Sequence, residues 1–371
     1  MYKPLDIFQK KLEQQPLLIF LAFTVIVSLS VSVFFFSPRF ILWDLNQIGT
    51  FETDRANSFL HQIENPWAAD VESALRWRLL IPVFCHFFNI RGWFALSLSW
   101  LGVIVLLAQT AWIILRTTNN RWFSFTGCIL VSTTSAVVVS TGWLGMNDAW
   151  YLSGLMTVAF AQNPLLLIVA ILSGSWLDEK FLLALPLALV TRWHQTFQEK
   201  SQQSLLKLML FTGIALVPYI SIRMFTTLIQ GDAVSSTFLK TTFGGFFTWL
   251  PWFPMGWWMA FRLGWILLII AFILLFRTGG IRYFLAVFCL FWTSAILITI
   301  LAADMSRSAA MVLPLMVWGW IAVPKDIIWG QTQMRNLIVL GNLLIPALHI
   351  TYTKASLISP LPLEIFRLIR P

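Results

Sequence analysis

The run from Pro16 to Phe36 contains no charged residue and is long enough to cross a bilayer as a helix. A crossing needs about 20 apolar residues, since a helix rises about 1.5 Å per residue and the hydrocarbon core is about 30 Å thick. Similar runs recur at 93–115, 123–141, 205–227, 254–276, 281–302 and 336–353, with a shorter one at 308–323. Charged residues make up 11% of the chain, against about 25% in a soluble domain, so there is too little polar surface to coat a water-facing globule. The pattern predicts an all-α fold, a polytopic transmembrane helix bundle of about 9–11 spans. Residues 1–371 read as a single membrane domain. It has a first span at 16–36, a long loop at 37–92, the remaining spans over 93–353 and a short tail at 354–371.

Two segments depart from simple spans. The first apolar run exceeds the 7–15 residues of a cleavable signal and ends without a small-x-small site, so it reads as a retained span. Between 148 and 192, Asn163-Pro164 and Asp178-Glu179 cut an apolar stretch into three pieces, each too short to span upright. Such pieces are tolerated inside the bundle or around a cavity. Three thin crossings or one crossing plus a re-entrant hairpin both give an odd count.

Lys and Arg set the expected orientation. With the N-terminus cytoplasmic, inside segments carry twelve of them, from Lys3, Lys10 and Lys11 to Lys325 and Arg335. The short outside loops carry only Lys180, Lys240 and Arg307. This bias accounts for the net charge of +9 better than a nucleic-acid partner does, since the cations are dispersed and form no basic stripe. Twelve of the 16 acids fall on the opposite, non-cytoplasmic side, half of them in the 37–92 loop, although topology does not require it. Acids concentrated on one face direct attention to that face.

In the first loop, 54–63 and 70–79 are mostly polar with spaced apolar residues, as in amphipathic helices at a membrane surface. Asp54 and Asp44 would then lie near the interface; a solvated acidic loop is the plain alternative. Arg76 and Arg78 precede an apolar helix in "RWRLLIPVF", where guanidinium forks suit phosphate, or simply snorkel beside Trp77. "GWLGMNDAW" places Asn147 and Asp148 before a helical run, and Asn147 in that position is an ordinary N-cap. "WLDEKF" puts Asp178 and Glu179 ahead of another. Asp304 and Arg307 are spaced to pair on one helical face, as a structural ion pair or a ligand contact.

Several chemistries lack support. His61, His86, His194 and His349 are dispersed, and Cys85, Cys128 and Cys289 have neither metal nor disulfide spacing. Phosphate-cradling Gly-rich loops, nucleotide fingerprints and a G-x-S-x-G elbow are missing from the sequence.

The order of these features resembles the GT-C superfamily of membrane glycosyltransferases. The likeness is carried by the acid in "ETDRANSF", where Glu52-Thr53-Asp54 has the E-x-D form, and by "RWRLLIP", similar to an R-x-L-x-P element of bacterial members. "MNDAWYLSGL", "DEKFLLALPL" and "DMSRSAAMVLP" follow. The resemblance implies a catalytic acid in the first non-cytoplasmic loop and a polyprenyl-phosphate sugar donor, and the lack of an organellar targeting pattern favours a bacterial plasma (inner) membrane over an endoplasmic reticulum as location. Transfer needs a carboxylate base for the acceptor hydroxyl and positive charge for the leaving phosphate. Asp54 is then the expected base, with Asp44 second. Arg78, Arg76 and Arg307 are expected at the phosphate, and Asp148, Glu179 and Asp304 at the substrate cavity. No residue set forms a clear divalent-metal site, and the cofactor requirement stays open. The expected partners are membrane lipid and the lipid-linked donor. The alternatives from the residues alone are a transporter or lipid flippase, or a membrane protein without chemistry.

Overall fold

The computed structural model describes residues 3–40, 43, 45, 51–68, 76–198, 205–230, 250–301, 304–322, 331–351 and 355–369. It is a helical bundle with one two-stranded sheet. Helix α1 (Lys3–Gln14) leads into α2 (Leu17–Phe35), and α3 (Phe51–Glu64) follows in the first loop. Then come α4 (Leu80–Phe87), α5 (Gly92–Leu96), α6 (Leu98–Thr118), α7 (Arg121–Ser132) and α8 (Ser135–Gly142). The short helices expected over 148–192 are α9 (Asp148–Phe160), α10 (Pro164–Ser175) and α11 (Lys180–Gln198). The rest are α12 (Leu205–Gln230), α13 (Phe253–Phe261), α14 (Trp265–Leu301), α15 (Met305–Ala309), α16 (Leu313–Ala322) and α17 (Gln331–Leu344). A hairpin of β1 (Ala347–Ile350) and β2 (Ala355–Ile358) precedes α18 (Leu361–Ile369).

Among the described residues, five helical stretches are long and apolar enough to cross a membrane: Leu17–Phe35, Gly92–Thr118, Lys207–Phe225, Leu250–Arg277 and Met305–Ala322. The bent pair α7–α8 makes a sixth. Pro164–Ser175 and Phe284–Leu297 are shorter apolar helices. The protein is therefore a membrane protein. Burial orders the bundle: Met305–Ala322 is 89% buried and central, whereas Leu17–Phe35 is 28% and Lys207–Phe225 22% buried. The outer helices expose Leu18, Ile26, Ile214 and Val217, side chains that lipid tails cover.

Helices α9, α10 and α11 make three stacked passes. Lys180 sits beside Asp148 at one end, and Arg192 donates to the Val158 and Ala161 carbonyls at the other. Thirteen residues from 148 to 161 and twelve from 180 to 192 rise roughly 20 and 18 Å. So α9 and α11 run parallel, and α10 is the return leg. Arg192, like Arg121 on the Leu12 and Gln15 carbonyls and Arg335 on the Trp320 carbonyl, satisfies C-terminal carbonyls that a helix cannot pair internally.

Four expected spans differ in detail. The 123–141 run bends by 60° after Ser132. The Thr133 and Thr134 hydroxyls each donate at 2.7 Å to a carbonyl one turn back, and the freed Thr133 carbonyl accepts Arg262 instead. At the separate break between α13 and α14, Asn342 accepts the Leu263 N–H at 2.8 Å and donates to the Phe261 carbonyl at 2.9 Å. The runs 254–276 and 281–302 meet at Gly280, whose φ of 71° reverses the chain; the Phe272 ring then packs against Phe284 and Phe291 of the second arm. The expected span 336–353 is not one helix. It ends at Leu344 because Pro346 cannot continue the ladder, and the β-branched residues beyond enter the hairpin.

In the first loop, the amphipathic segment 54–63 is helix α3. Its apolar face (Ala56, Phe59, Ile63) packs against Ile81, Cys85, Leu96 and Leu144, so it rests on the protein rather than on lipid alone. Most of the second expected segment, 70–79, lies outside the described residues.

Candidate functional site

The starts of α4, α9, α11 and α15 meet at one end of the bundle, under α3. Local bonds explain the meeting. The Leu80 N–H donates to the Trp176 carbonyl at 3.1 Å, fixing Arg78 beside the 176–179 turn. His86 Nδ1 donates to the Ile63 carbonyl at 2.9 Å, and Arg91 to the same oxygen at 3.2 Å, which locks the end of α3 to α4. The α8–α9 turn passes under α3 at Gly145. Its φ is +75°, and an added Cβ would lie 3.2 Å from Phe59.

A continuous chain of ion pairs crosses this end. Arg78 contacts Asp178 at 3.1 Å and Glu179 at 3.6 Å. Lys180 lies 3.1 Å from Asp148 and 3.6 Å from Asp178. Arg307 bridges Asp148 at 3.1 Å and Asp304 at 2.6 Å, and His349 approaches Asp304 at 3.5 Å. Arg223 reaches Glu179 at 3.6 Å. Asp148, Asp178, Lys180, Asp304, Arg307 and His349 are all buried. Buried charges of this kind persist only when paired.

The pairing decides ionisation. Burial opposes a charged Asp178, but Arg78 and then Lys180 outweigh it and hold its carboxyl at about 2. Its oxygen also accepts the Lys180 backbone N–H at 2.9 Å. Burial likewise opposes charge on Asp304, and the Arg307 guanidinium, helped by His349, pulls its pKa below the usual carboxylate range. For Arg78, desolvation is overcome by the Asp178 and Glu179 carboxylates, which raise its pKa.

Part of this network opens into a cleft lined by Arg55, Phe59, Gln62, Arg78, Pro82, Asp148 and Asp178, among others. The cleft is narrow. It has room for ordered water, and anything larger must part the walls.

Of the residues singled out in the sequence, the structure gathers Arg78, Asp148, Glu179, Asp304 and Arg307 into one network, with Arg78 and Asp148 on the cleft wall. Arg307 does not line the cleft, and two carboxylates neutralise it. Arg76 is half-buried next to Trp77 and does not line the cleft. Asp54 sits on the exposed face of α3, one residue away from Arg55, whose face with Phe59 and Gln62 does line it. Asp44 lies outside the described residues. Sequence reasoning overlooked Lys180, Arg55, Gln62 and His349. Only Lys180 had a visible signal, as the cation following Asp178-Glu179. Among the described residues no three His, Cys, Asp or Glu side chains gather as a metal-ligand set.

Comparison with protein-family models, curated proteins and solved structures finds no match.

Proposed function

We propose that the cleft is the active site of a GT-C-like glycosyltransferase, which moves a sugar from a lipid-phosphate donor to an acceptor hydroxyl on the non-cytoplasmic face. The observation that carries the reading is that Arg78 and Asp148, 70 positions apart in sequence, form walls of one cleft beneath the first-loop helix. A cation that meets a leaving phosphate and a carboxylate that meets a nucleophile are the two groups such a transfer requires. The excess of Lys and Arg in the segments at the other end of the bundle supports a cytoplasmic N-terminus. The R-x-L-x-P element formed by Arg78, Leu80 and Pro82, two of them on the cleft wall, supports a bacterial plasma membrane.

In this reading Asp148 takes the base role in place of Asp54, whose side chain is on the exposed face of α3. The acceptor oxygen attacks the anomeric carbon and its proton passes to the Asp148 carboxylate. The bond from the anomeric carbon to the phosphate oxygen breaks, and its electron pair leaves with the phosphate beside Arg78. Lys180 and Arg307 hold the Asp148 side chain in position at the cleft.

Lipid-linked sugars that copurify with the protein, identified by mass spectrometry, supply the donor for an assay. Asp148→Asn is expected to lower turnover by about a hundredfold or more, the scale of general-base catalysis. Asp54→Asn is expected to stay within a few-fold of wild type. Normal turnover in Asp148→Asn removes the assignment of the base, and loss confined to Asp54→Asn returns it to the first loop.

A further inference from the structure

At the edge of the cleft, Glu179 lies between two guanidinium groups. One carboxylate oxygen is 3.6 Å from Arg78 Nε and the other is 3.6 Å from Arg223 Nη1. Its neighbour Asp178 is held differently, by Arg78 at 3.1 Å and by the Lys180 backbone N–H at 2.9 Å, with almost no exposure. Glu179 keeps about a third of its side-chain surface exposed, as does Arg223. Loose, part-exposed pairs like these contribute little to stability. Glu179 is therefore the easily moved member of an otherwise fixed network.

The surroundings define what could replace it. Arg223 lies 5.1 Å from the Trp77 ring centroid and 5.8 Å from that of Tyr219, whose hydroxyl accepts from Arg223 Nη1. Trp176 packs edge-on against Tyr219 with centroids 4.8 Å apart. Such amphipathic rings are typical of the headgroup level of a bilayer. Arg223 lies near the end of the peripheral apolar span, where Val217, Ile220, Ile222, Met224 and Phe225 are exposed to lipid. An anion arriving here from the membrane therefore carries its alkyl chain along α12. Charge balance sets the rest: in the ion pairs around the seat, Arg78, Lys180, Arg223 and Arg307 face Asp148, Asp178, Glu179 and Asp304, four cations against four carboxylates, with Arg55 a further cation on the cleft wall. A second anion between Arg78 and Arg223 must displace Glu179 or meet like charge at contact distance.

We propose that Arg78 and Arg223 form a two-guanidinium seat for a lipid-borne phosphomonoester, and that Glu179 is an internal latch which closes the seat until the phosphate displaces it. Fork-shaped guanidinium groups bind phosphate oxygens more strongly than they hold a single loose carboxylate. The latch keeps two cations paired at a lipid-facing opening when no ligand is present. It rests on the transferase reading only for the identity of the lipid, because binding is read without turnover.

The test measures binding of farnesyl monophosphate, inorganic phosphate and farnesol to the full-length protein in lipid nanodiscs. Glu179→Gln is expected to tighten farnesyl monophosphate by about tenfold, and Arg223→Gln to weaken it by a similar factor, the scale of one charge-assisted contact. Glu179→Asp, which keeps the charge on a shorter arm, is expected to fall between wild type and Glu179→Gln, and it serves if the glutamine variant folds poorly. Farnesol binding should be unchanged throughout. If inorganic phosphate shows the same latch effect as strongly, the seat stands and its ligand is free phosphate. Equal farnesyl monophosphate affinity in wild type and both Glu179 variants overturns the latch, even if sugar transfer is found. A latch effect without sugar transfer from any lipid donor sinks the transferase reading and leaves the latch standing.

Discussion

Lys180 Nζ lies 3.1 Å from Asp148 Oδ1 although the two residues are 32 positions apart, and both side chains are buried. Asp148 opens the 13-residue α9 and Lys180 opens the 19-residue α11. Their pairing brings α9 and α11 into register, so that both deliver charge to the same cleft.

Removing one partner of this pair should cost more than removing both. Lys180→Met leaves Asp148 with Arg307 alone and is expected to lower stability by about 3–5 kcal/mol, the usual cost of breaking a buried pair. Adding Asp148→Asn should recover part of that loss. Thermal unfolding in detergent of the single and double variants measures the coupling.

The Asp178 carboxyl provides a pH signature. Its folded pKa of about 2 lies below the ordinary value of about 3.9, so the unfolded chain binds more protons in between. The stabilisation is complete above about pH 4 and is lost as pH falls through about 2. Asp304, shifted in the same direction, adds to the loss. Melting temperature followed from pH 6 to 2.5 should fall at the acid end, and Asp178→Asn should flatten that fall.

Gly319 permits a close helix approach near the bundle centre. A Cβ there would collide with the Leu267 backbone carbonyl, which cannot move aside as a side-chain tip would. Gly319→Ala is expected to destabilise by several kcal/mol, within the range for overpacking or larger. Gly213→Ala, with nothing within 4 Å of the new methyl, should be neutral or slightly stabilising. The yield and melting temperature of the two variants separate the cases.

Asn342 supports the break after α13. Asn342→Leu keeps similar bulk but leaves the Leu263 N–H and the Phe261 carbonyl without this partner. A cost of about 1–3 kcal/mol per unpaired buried group is expected, seen as a lower melting temperature. Restoration by Asn342→Gln would require the longer arm to reach both groups, and should be incomplete.

Helix length and lipid exposure were legible in sequence because hydrocarbon imposes a local rule: roughly 20 apolar residues, with backbone groups paired within the segment. The segments 16–36 and 93–115 follow it, and so does the arm before Gly280. The failure at 336–353 came from weighting apolar content over Pro346, a local stop signal in plain view. The one-sided acids correctly marked the end of the bundle where charge gathers. They did not separate Asp54 from Arg55, since one step along a helix is a turn of about 100° and only the packing of α3 decides which residue faces inward.

The amino-acid order alone determined that this chain inhabits a bilayer, which segments are apolar enough to enter it and which end collects carboxylates. Those properties depend on near neighbours in the chain and on the solvent they meet. Tertiary structure alone decided that Asp178 is fixed while Glu179 is loose, that Arg307 is neutralised between two acids, and that Lys180 and His349 belong to the same network. Coulomb energy falls off with distance through space and not along the chain, so these roles existed only once the short helices had packed.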